Sequence, residues 1–261
     1  MYESPERAAR ERELTQARAR LHRILDQYIQ VESEVRALEQ GPFRVVIFGS
    51  ARIRPRDQLY NAVYRIARAL VERGIDIVTG GGPGLMEAAN RAVTDVQQRE
   101  SRSIGLPIDL PAISEPANKH LDIKSMHTRF SSRLDEFMRL SNAVVVAPGG
   151  IGTLLELLYV WQLLQVGLIH DRPVILLGHE EWGGLVTWMR SAMVPHHYIN
   201  PDDFRWITLV ETEEEVIDLL ILAHERYLRA QLEEEAGLLD EVAHDITTRV
   251  VGEAGGDGNE K

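Results

Sequence analysis

Two glycine-rich stretches stand where an apolar run gives way to a helix-like sequence. The first is GGGPG at 80–84, and the second is PGGIGT at 148–153. Glycine has no Cβ, so its backbone N–H groups can approach an anion closely. A helix that starts just after such a turn adds unpaired N–H groups and the positive end of its dipole. The two turns therefore predict a phosphate site, to which the hydroxyl of Thr153 adds a further donor.

A third turn follows the apolar stretch VVIF at 45–48. A single glycine turn is no more than a tight connection from a strand to a helix, but three turns on one sheet edge favour a ligand. Glu156 lies one helical turn after Thr153, so its carboxylate can stand on the same face as the predicted phosphate. The residues of these turns that we expect to contact the ligand are Gly49, Ser50, Gly81, Gly82, Gly149, Gly150, Ile151, Gly152 and Thr153.

Short apolar runs alternate with amphipathic ones over about residues 43 to 210. The predicted strands are 44–48, 75–79, 102–106, 142–147, 173–177 and 205–209. The predicted helices are 57–73, 84–94, 130–141, 152–166 and 182–192. Strands that are apolar throughout and separated by helices indicate a parallel sheet covered on both faces. We therefore predict a doubly wound, Rossmann-like α/β fold with its ligand at the carboxyl ends of the strands.

Helical sequence flanks this central domain on both sides. Apolar residues recur at heptad spacing from Leu14 to Leu38, so we expect an N-terminal helical extension over 1–41. This helix either packs on its own domain or pairs between subunits. The central nucleotide-binding domain spans 42–210, an acidic helical segment follows over 211–248, and a disordered, glycine-rich tail is expected over 249–261.

Composition excludes several classes of function. The chain has no cysteine, so disulfides, thiolate metal sites and cysteine nucleophiles are absent. The net charge of -11 argues against nucleic acid as a partner. His196 and His197 have no third ligand at a suitable spacing, so we expect no metal. The sequence shows neither the apolar core of a signal peptide nor a run of about 18 apolar residues, which predicts a cytoplasmic protein without a membrane partner.

The common phosphate and hydrolase motifs do not fit the glycine turns. Neither turn has the G-x-G-x-x-G spacing of a dinucleotide site, and neither is followed by the Gly-Lys-Ser/Thr of a P-loop. The G-x-S-x-G elbow of serine hydrolases is missing as well. The predicted phosphate site is therefore of another kind.

The stretches GGGPGLMEAAN at 80–90 and PGGIGTLLE at 148–156 resemble the LOG family, whose signature is PGGxGTxxE. The resemblance covers about residues 44 to 178. It implies a hydrolase that cleaves the N-glycosidic bond of nucleoside 5'-monophosphates, such as AMP or cytokinin ribotides, and releases the base and ribose 5-phosphate. It further implies a reaction without a cofactor, and a homodimer or larger homo-oligomer.

The resemblance also implies two catalytic residues, Arg133 and Glu156. Family members carry an arginine 23 residues before the glutamate that ends the signature, and this count leads from Glu156 back to Arg133. Phe130 and Phe137 flank Arg133 in the F-x-x-R-x-x-x-F pattern of the longer family branch. Arg129 resembles the arginine of the M-H-x-R sequence of the shorter branch, but it lies four residues too early for the catalytic position. We therefore predict Arg129 as a substrate contact and not as the catalytic arginine. The division of roles between the two arginines stays open.

Three further carboxylates are candidates for roles near the ligand. Glu115 falls in a stretch, GLPIDLPAISEPANKH, that resembles the family's L-P-x-E-Q-x-x-N segment with altered spacing, and is a candidate ribose or base contact. Asp109 competes with it for this role. Glu87 stands near the start of the helix after GGGPG, where it either caps that helix or contacts the ligand.

In the reaction that the resemblance implies, positive charge builds on the ribose ring as the glycosidic bond breaks. A carboxylate beside the sugar stabilises that charge and can orient water, and Glu156 is suited to this role. A carrier that holds a nucleotide or a molybdenum cofactor without cleaving it is the alternative. A lysine decarboxylase is disfavoured, because it requires a lysine Schiff base with pyridoxal phosphate and the chain has only Lys119, Lys124 and Lys261.

Overall fold

The computed structural model describes residues 41–110 and 116–254, with side chains described as far as residue 233. The chain divides into two units, Met1–Gly41 and Pro42–Lys261. Of the predicted N-terminal extension, only Gly41 belongs to the described residues, so its heptad helix and the pairing of that helix stay predictions.

One parallel sheet forms the centre of the second unit. The strands that the structure describes are β1 (Arg44–Phe48), β2 (Asp76–Thr79), β3 (Ser103–Gly105), β4 (Ile123–Lys124), β5 (Ala143–Val146), β6 (Val174–Leu177) and β7 (Ile207–Val210). The α-helices are α1 (Gln58–Val71), α2 (Leu85–Asp95), α3 (Phe130–Leu140), α4 (Ile151–Gln165), α5 (His179–Trp188) and α6 (Glu213–Ala254).

The strand order β4-β3-β2-β1-β5-β6-β7 contains one reversal of direction. The chain moves outward from β1 to β4 and then returns to place β5 beside β1, where Val45 pairs with Ala143. In open parallel sheets, ligands bind outside the carboxyl ends of the strands at such a switch point. The predicted doubly wound α/β fold is confirmed, and the switch point lies between the turn after β1 and the turn after β5.

Two apolar cores cover the two faces of the sheet. In β1, Val45 and Ile47 belong to one core, whereas Val46 and Phe48 belong to the other. This alternation follows from the two-residue period of a strand. Helices α1, α2 and α6 contribute to the first core, and α3, α4 and α5 contribute to the second. Burial on both faces explains why the central strands are apolar at nearly every position.

The structure differs from the predicted elements at the edges of the sheet. Strand β4 has only two residues, both exposed, and was not predicted because so short a segment leaves no apolar run in the sequence. The predicted strand 205–209 is shifted to Ile207–Val210. The predicted helix 182–192 divides into α5 and a π-helical turn, Met189–Met193.

The last helix, α6, extends to Ala254 and thus passes the predicted start of the tail at 249. A single glycine, Gly252, costs a helix about 1 kcal/mol and does not end it. The division into 42–210 and 211–248 stays a prediction. Among the helices that the structure describes, none has a segment long and apolar enough to cross a membrane.

A partly buried arginine, Arg172, fixes the end of α3, the helix that carries Arg133. Arg172 donates through Nη1 to the carbonyl of Met138 at 2.8 Å, to the hydroxyl of Ser141 at 2.6 Å and to the carbonyl of Ser141. Burial lowers the pKa of Arg172 to about 10, so its guanidinium stays charged at neutral pH. A charged donor at the carboxyl end of a helix satisfies its last carbonyls.

Candidate active site

The three glycine turns meet at the carboxyl ends of β1, β2 and β5. The backbone N–H of Ser50 donates to the carbonyl of Pro148 at 3.1 Å, and the carbonyl of Ser50 accepts from the N–H of Leu85 at 3.0 Å. A Cβ on Gly49 would lie 2.8 Å from Cδ1 of Leu85 and 3.3 Å from Cβ of Ala147. Gly49 and Ser50, predicted as ligand contacts, therefore also hold the three turns together.

Two of the helices that follow these turns begin without a side-chain cap. Helix α1 is capped, because Oδ1 of Asp57 accepts from the N–H of Leu59 at 2.9 Å. In α2 and α4 the cap positions are Gly84 and Gly150, and neither cap has a side-chain hydrogen bond. The N-terminus of α4 is thus open to a ligand, whereas the first N–H of α2 is taken by the carbonyl of Ser50 and the N-terminus of α1 by a carboxylate of the chain.

The first turn of α4 presents a set of unpaired donors. Among the residues that the structure describes, the N–H groups of Ile151, Gly152 and Thr153 have no acceptor. Ile151 is 83% exposed, so the helix start faces solvent, while Thr153 is buried beneath it. Three N–H groups at the positive end of a helix dipole can bind one phosphate.

Different constraints favour glycine at the three glycine positions of PGGIGT. A Cβ on Gly149 would lie 2.6 Å from Cβ and 2.9 Å from Cγ2 of Thr153, so packing within the chain requires glycine there. A Cβ on Gly150 or Gly152 would meet nothing within 4 Å. Gly150 has φ -96° and ψ -155°, an extended backbone that other residues adopt. Space that the chain leaves empty above Gly150 and Gly152 is available to a ligand.

This contrast predicts different results for two adjacent alanine variants. Gly149→Ala should destabilise the fold by about 1–3 kcal/mol, because the new methyl group overpacks Thr153. Gly150→Ala should change the free energy of unfolding by less than about 0.5 kcal/mol. Urea unfolding measures both, and equal stabilities would contradict the packing account. If Gly150 is glycine for the ligand, then Gly150→Ala should still weaken ribose 5-phosphate binding, and unchanged binding would remove Gly150 from the site.

Arg133 and Glu156 face each other beside these turns. Nη1 of Arg133 lies 3.7 Å from Oε1 of Glu156, and the side chains are 11% and 14% exposed. Nε of Arg133 donates to the carbonyl of Leu106 at 2.7 Å, and Nη2 donates to the carbonyl of Gly80 at 3.4 Å. Its guanidinium also stands 5.3 Å from the centre of the Phe137 ring. These contacts hold the guanidinium in one orientation, with Nη1 toward the carboxylate.

The side chain of Arg133 leaves no room for a side chain at position 80. A side chain there would meet the guanidinium of Arg133, and its Cβ would lie 2.7 Å from Sδ of Met86. Arg129, by contrast, is exposed and precedes α3, and its carbonyl accepts from the hydroxyl of Ser132 at 3.1 Å. The structure thus places Arg133, and not Arg129, against Glu156 and the glycine turn after β2.

A buried polar network lies behind that turn, and sequence reasoning missed it. The N–H of Gly81 donates to Oγ1 of Thr79 at 2.9 Å, and this hydroxyl donates to Oδ1 of Asn90 at 2.7 Å. Asn118 donates from Nδ2 to the same Asn90 oxygen at 2.9 Å and to the carbonyl of Gly82 at 2.9 Å. The available signal was the asparagine of the L-P-x-E-Q-x-x-N resemblance, which corresponds to Asn118.

The three further carboxylates have different outcomes. Glu115 lies outside the described residues, so its role stays a prediction. Asp109 is exposed, and its backbone N–H donates to the carbonyl of His127 at 2.8 Å. Glu87 stands half-buried in the first turn of α2, but the cap of that helix has no side-chain hydrogen bond. The choice between a capping role and a ligand contact for Glu87 therefore stays a prediction.

The described part of the chain has no residues suited to a lysine Schiff base with pyridoxal phosphate or to a metal site. Lys119 and Lys124 are both exposed, and Lys124 lies on the edge strand β4. They do not fit a pyridoxal phosphate site, which needs a lysine within reach of an enclosed cofactor. Within residues 41–110 and 116–254, no group of three His, Asp or Glu side chains is arranged to hold a metal ion.

Comparison with known proteins shows the family of this chain. The family model described as "Possible lysine decarboxylase" matches residues 86–220. The cytokinin riboside 5'-monophosphate phosphoribohydrolase LOG of Oryza sativa subsp. japonica is 32% identical over 216 residues, which cover 79% of this chain and 84% of that protein. The chain belongs to the LOG family. The resemblance read from the glycine motifs is thereby confirmed.

One further relative and one solved structure are also similar to this chain. The pyrimidine/purine nucleotide 5'-monophosphate nucleosidase of Escherichia coli strain K12 is 36% identical over 154 residues, or 56% of this chain. The match spans only 34% of the length of that nucleosidase. The X-ray structure of TM1055 superposes with a TM-score of 0.52 at 23% identity, covering 69% of this chain and 99% of TM1055. This likeness concerns the fold alone and carries no information on activity.

Proposed function

We propose that this LOG-family chain hydrolyses the N-glycosidic bond of nucleoside 5'-monophosphates to the free base and ribose 5-phosphate. The observation that carries the proposal is the Arg133–Glu156 pair, with 3.7 Å between Nη1 and Oε1, in which Glu156 lies on the helix whose N-terminus is open. The names of the rice and Escherichia coli relatives, a phosphoribohydrolase and a nucleotide nucleosidase, support the same reaction.

The uncapped turn at the start of α4 binds the substrate through the substrate's phosphate group. The N–H groups at the start of α4 donate to the phosphate oxygens, and the helix dipole favours their negative charge. Glu156 follows Thr153 on the same helix, so a phosphate held at this turn presents its ribose to the carboxylate. Binding energy from the phosphate, which does not react, thereby orients the reacting carbon.

The bond between C1' and the base nitrogen then breaks. Its electron pair leaves with the base, and the ribose ring gains oxocarbenium character that the Glu156 carboxylate stabilises. A water oxygen bonds to C1', and one proton of that water is released, with Glu156 placed to orient the attack. The base nitrogen takes up a proton, so the products are neutral base and ribose 5-phosphate. Arg133 holds the carboxylate in position.

Phosphate binding at the start of α4 predicts a strong preference for nucleotides over nucleosides. AMP should be cleaved with a kcat/KM at least about 100-fold above that of adenosine, because two charge-assisted hydrogen bonds contribute about 1.5–3 kcal/mol each. Release of adenine, followed by chromatography, measures both rates. Equal rates would contradict phosphate binding at this turn. Tight retention of intact AMP without base release would favour a carrier instead of a hydrolase.

We also propose that the protein is a homo-oligomer. Helix α4 is apolar on almost every side, and Ile151, Leu155 and Leu158 are exposed at helical spacing along it. A helix that is apolar all round is normally buried, so a second copy of the chain is the natural cover for this face. A purely monomeric protein in sedimentation at micromolar concentration would contradict the proposal.

The cytoplasmic location inferred from the sequence stays a prediction.

A further inference from the structure

One asparagine outside both glycine motifs holds the turn after β2. Asn118 donates from Nδ2 to the carbonyl of Gly81 at 3.1 Å and to the carbonyl of Gly82 at 2.9 Å. Its backbone N–H donates to the same Gly81 oxygen at 2.8 Å. Two consecutive carbonyls of the turn therefore point toward Asn118.

The side-chain amide of Asn118 is itself fixed from both ends. Its Oδ1 accepts from the N–H of His120 at 3.0 Å, and its Nδ2 also donates to Oδ1 of Asn90 at 2.9 Å. Asn90 is fully buried and donates to the hydroxyl of Ser103 at 2.9 Å. Each polar atom of the Asn118 amide thus has a partner of the matching kind, and a satisfied buried network of this sort is rigid.

The orientation of these carbonyls determines where the neighbouring N–H points. The carbonyl of Gly81 and the N–H of Gly82 belong to one planar trans peptide and point in opposite directions. Since the carbonyl faces Asn118, the Gly82 N–H faces away from it. Gly82 is buried, and its N–H has no acceptor among the residues that the structure describes. Buried N–H groups without a partner are rare in folded proteins, so a ligand is the expected acceptor.

The same turn supports the arginine of the site. The carbonyl of Gly80 accepts from Nη2 of Arg133 at 3.4 Å. A shift of this turn would therefore displace both the Gly82 donor and one anchor of Arg133.

We propose that Asn118 is a positioning residue, which presets the Gly82 N–H to donate to an oxygen of the substrate's ribose 5-phosphate group. The inference rests on the proposed function, because it takes the ribose 5-phosphate part of a nucleotide as the ligand. Asn118 itself does not contact the substrate. It acts through the peptide between Gly81 and Gly82.

Backbone amide resonances with ribose 5-phosphate as the probe test the inference. In the wild type, the resonances of Gly82 and of Gly152 should both shift on addition of the probe. In Asn118→Asp, which keeps the acceptor for His120 but loses both donors, the Gly82 response should disappear while the Gly152 response persists. The kcat/KM for AMP should fall about 10- to 100-fold, as expected for a misplacement of about 1 Å. Unchanged Gly82 response and activity in this variant would overturn the inference.

Asn142→Asp is the matched control. Oδ1 of Asn142 accepts from the N–H of Arg44 at 2.8 Å at the opposite, amino end of the sheet, and an aspartate keeps this contact. Its amide responses and activity should equal those of the wild type. If Asn118→Asp does not fold, the wild type alone decides, because a shift at Gly152 without one at Gly82 overturns the inference and leaves the proposed function standing. A wild type that responds at neither glycine overturns the proposed function instead.

Discussion

Glu156→Gln should lower kcat for base release from AMP by about 10³-fold, within the about 10²- to 10⁴-fold range of acid–base catalysis. Glutamine keeps the size of the side chain but loses the negative charge that faces the developing positive charge on the ribose. The affinity for ribose 5-phosphate should change little, because the phosphate is held by backbone donors of α4. Initial rates and product binding by calorimetry separate the two effects.

Glu136→Gln is the control for this variant. Glu136 lies on α3 and pairs with Arg139 of the same helix at 2.6 Å near the protein surface, where such pairs contribute about 0.2–1 kcal/mol. Its variant should keep nearly full activity. Glu156→Gln that folds and cleaves AMP as fast as the wild type would remove Glu156 from the mechanism.

Arg133→Ala should reduce kcat/KM by about 10²- to 10³-fold, as does the loss of an oriented donor in other active sites. The substitution removes the cation beside Glu156 and leaves the carbonyl of Leu106 without its 2.7 Å partner. An unpaired buried acceptor costs about 1–3 kcal/mol, so thermal unfolding should also show a moderate loss of stability. Arg133→Lys should recover little activity, because one ammonium cannot reach Leu106, Gly80 and Glu156 together.

Arg129→Ala tests the competing assignment. Arg129 is exposed and precedes α3 by one residue, so its loss should change kcat/KM by less than about 3-fold and leave stability within about 0.5 kcal/mol. The reverse outcome, with Arg129 essential and Arg133 dispensable, would show that the spacing of the shorter family branch applies here.

Much of the fold was predictable because buried parallel strands leave a simple pattern. The runs at 44–48 and 142–147 are apolar throughout and end at glycine turns, which locates both the sheet and its ligand edge. Strand β4 left no such pattern, because two exposed residues at a sheet edge bury too little to require an apolar run.

The candidate site was predictable only in part. The glycine turns have a local signature, whereas Arg133 was chosen by its spacing in a family resemblance. The network of Thr79, Asn90 and Asn118 depends on the sheet order, which brings Ser103 of β3 beside β2. No local pattern in the sequence contains that pairing. The different reasons for Gly149 and Gly150 likewise became visible only with the position of Thr153.

A crystal structure of the Glu156→Gln variant with bound AMP tests the central claim most directly. The account predicts phosphate oxygens about 3 Å from the backbone nitrogens of Ile151, Gly152 and Thr153, with C1' of the ribose beside residue 156. A phosphate bound away from the start of α4, or a ribose out of reach of residue 156, would contradict it.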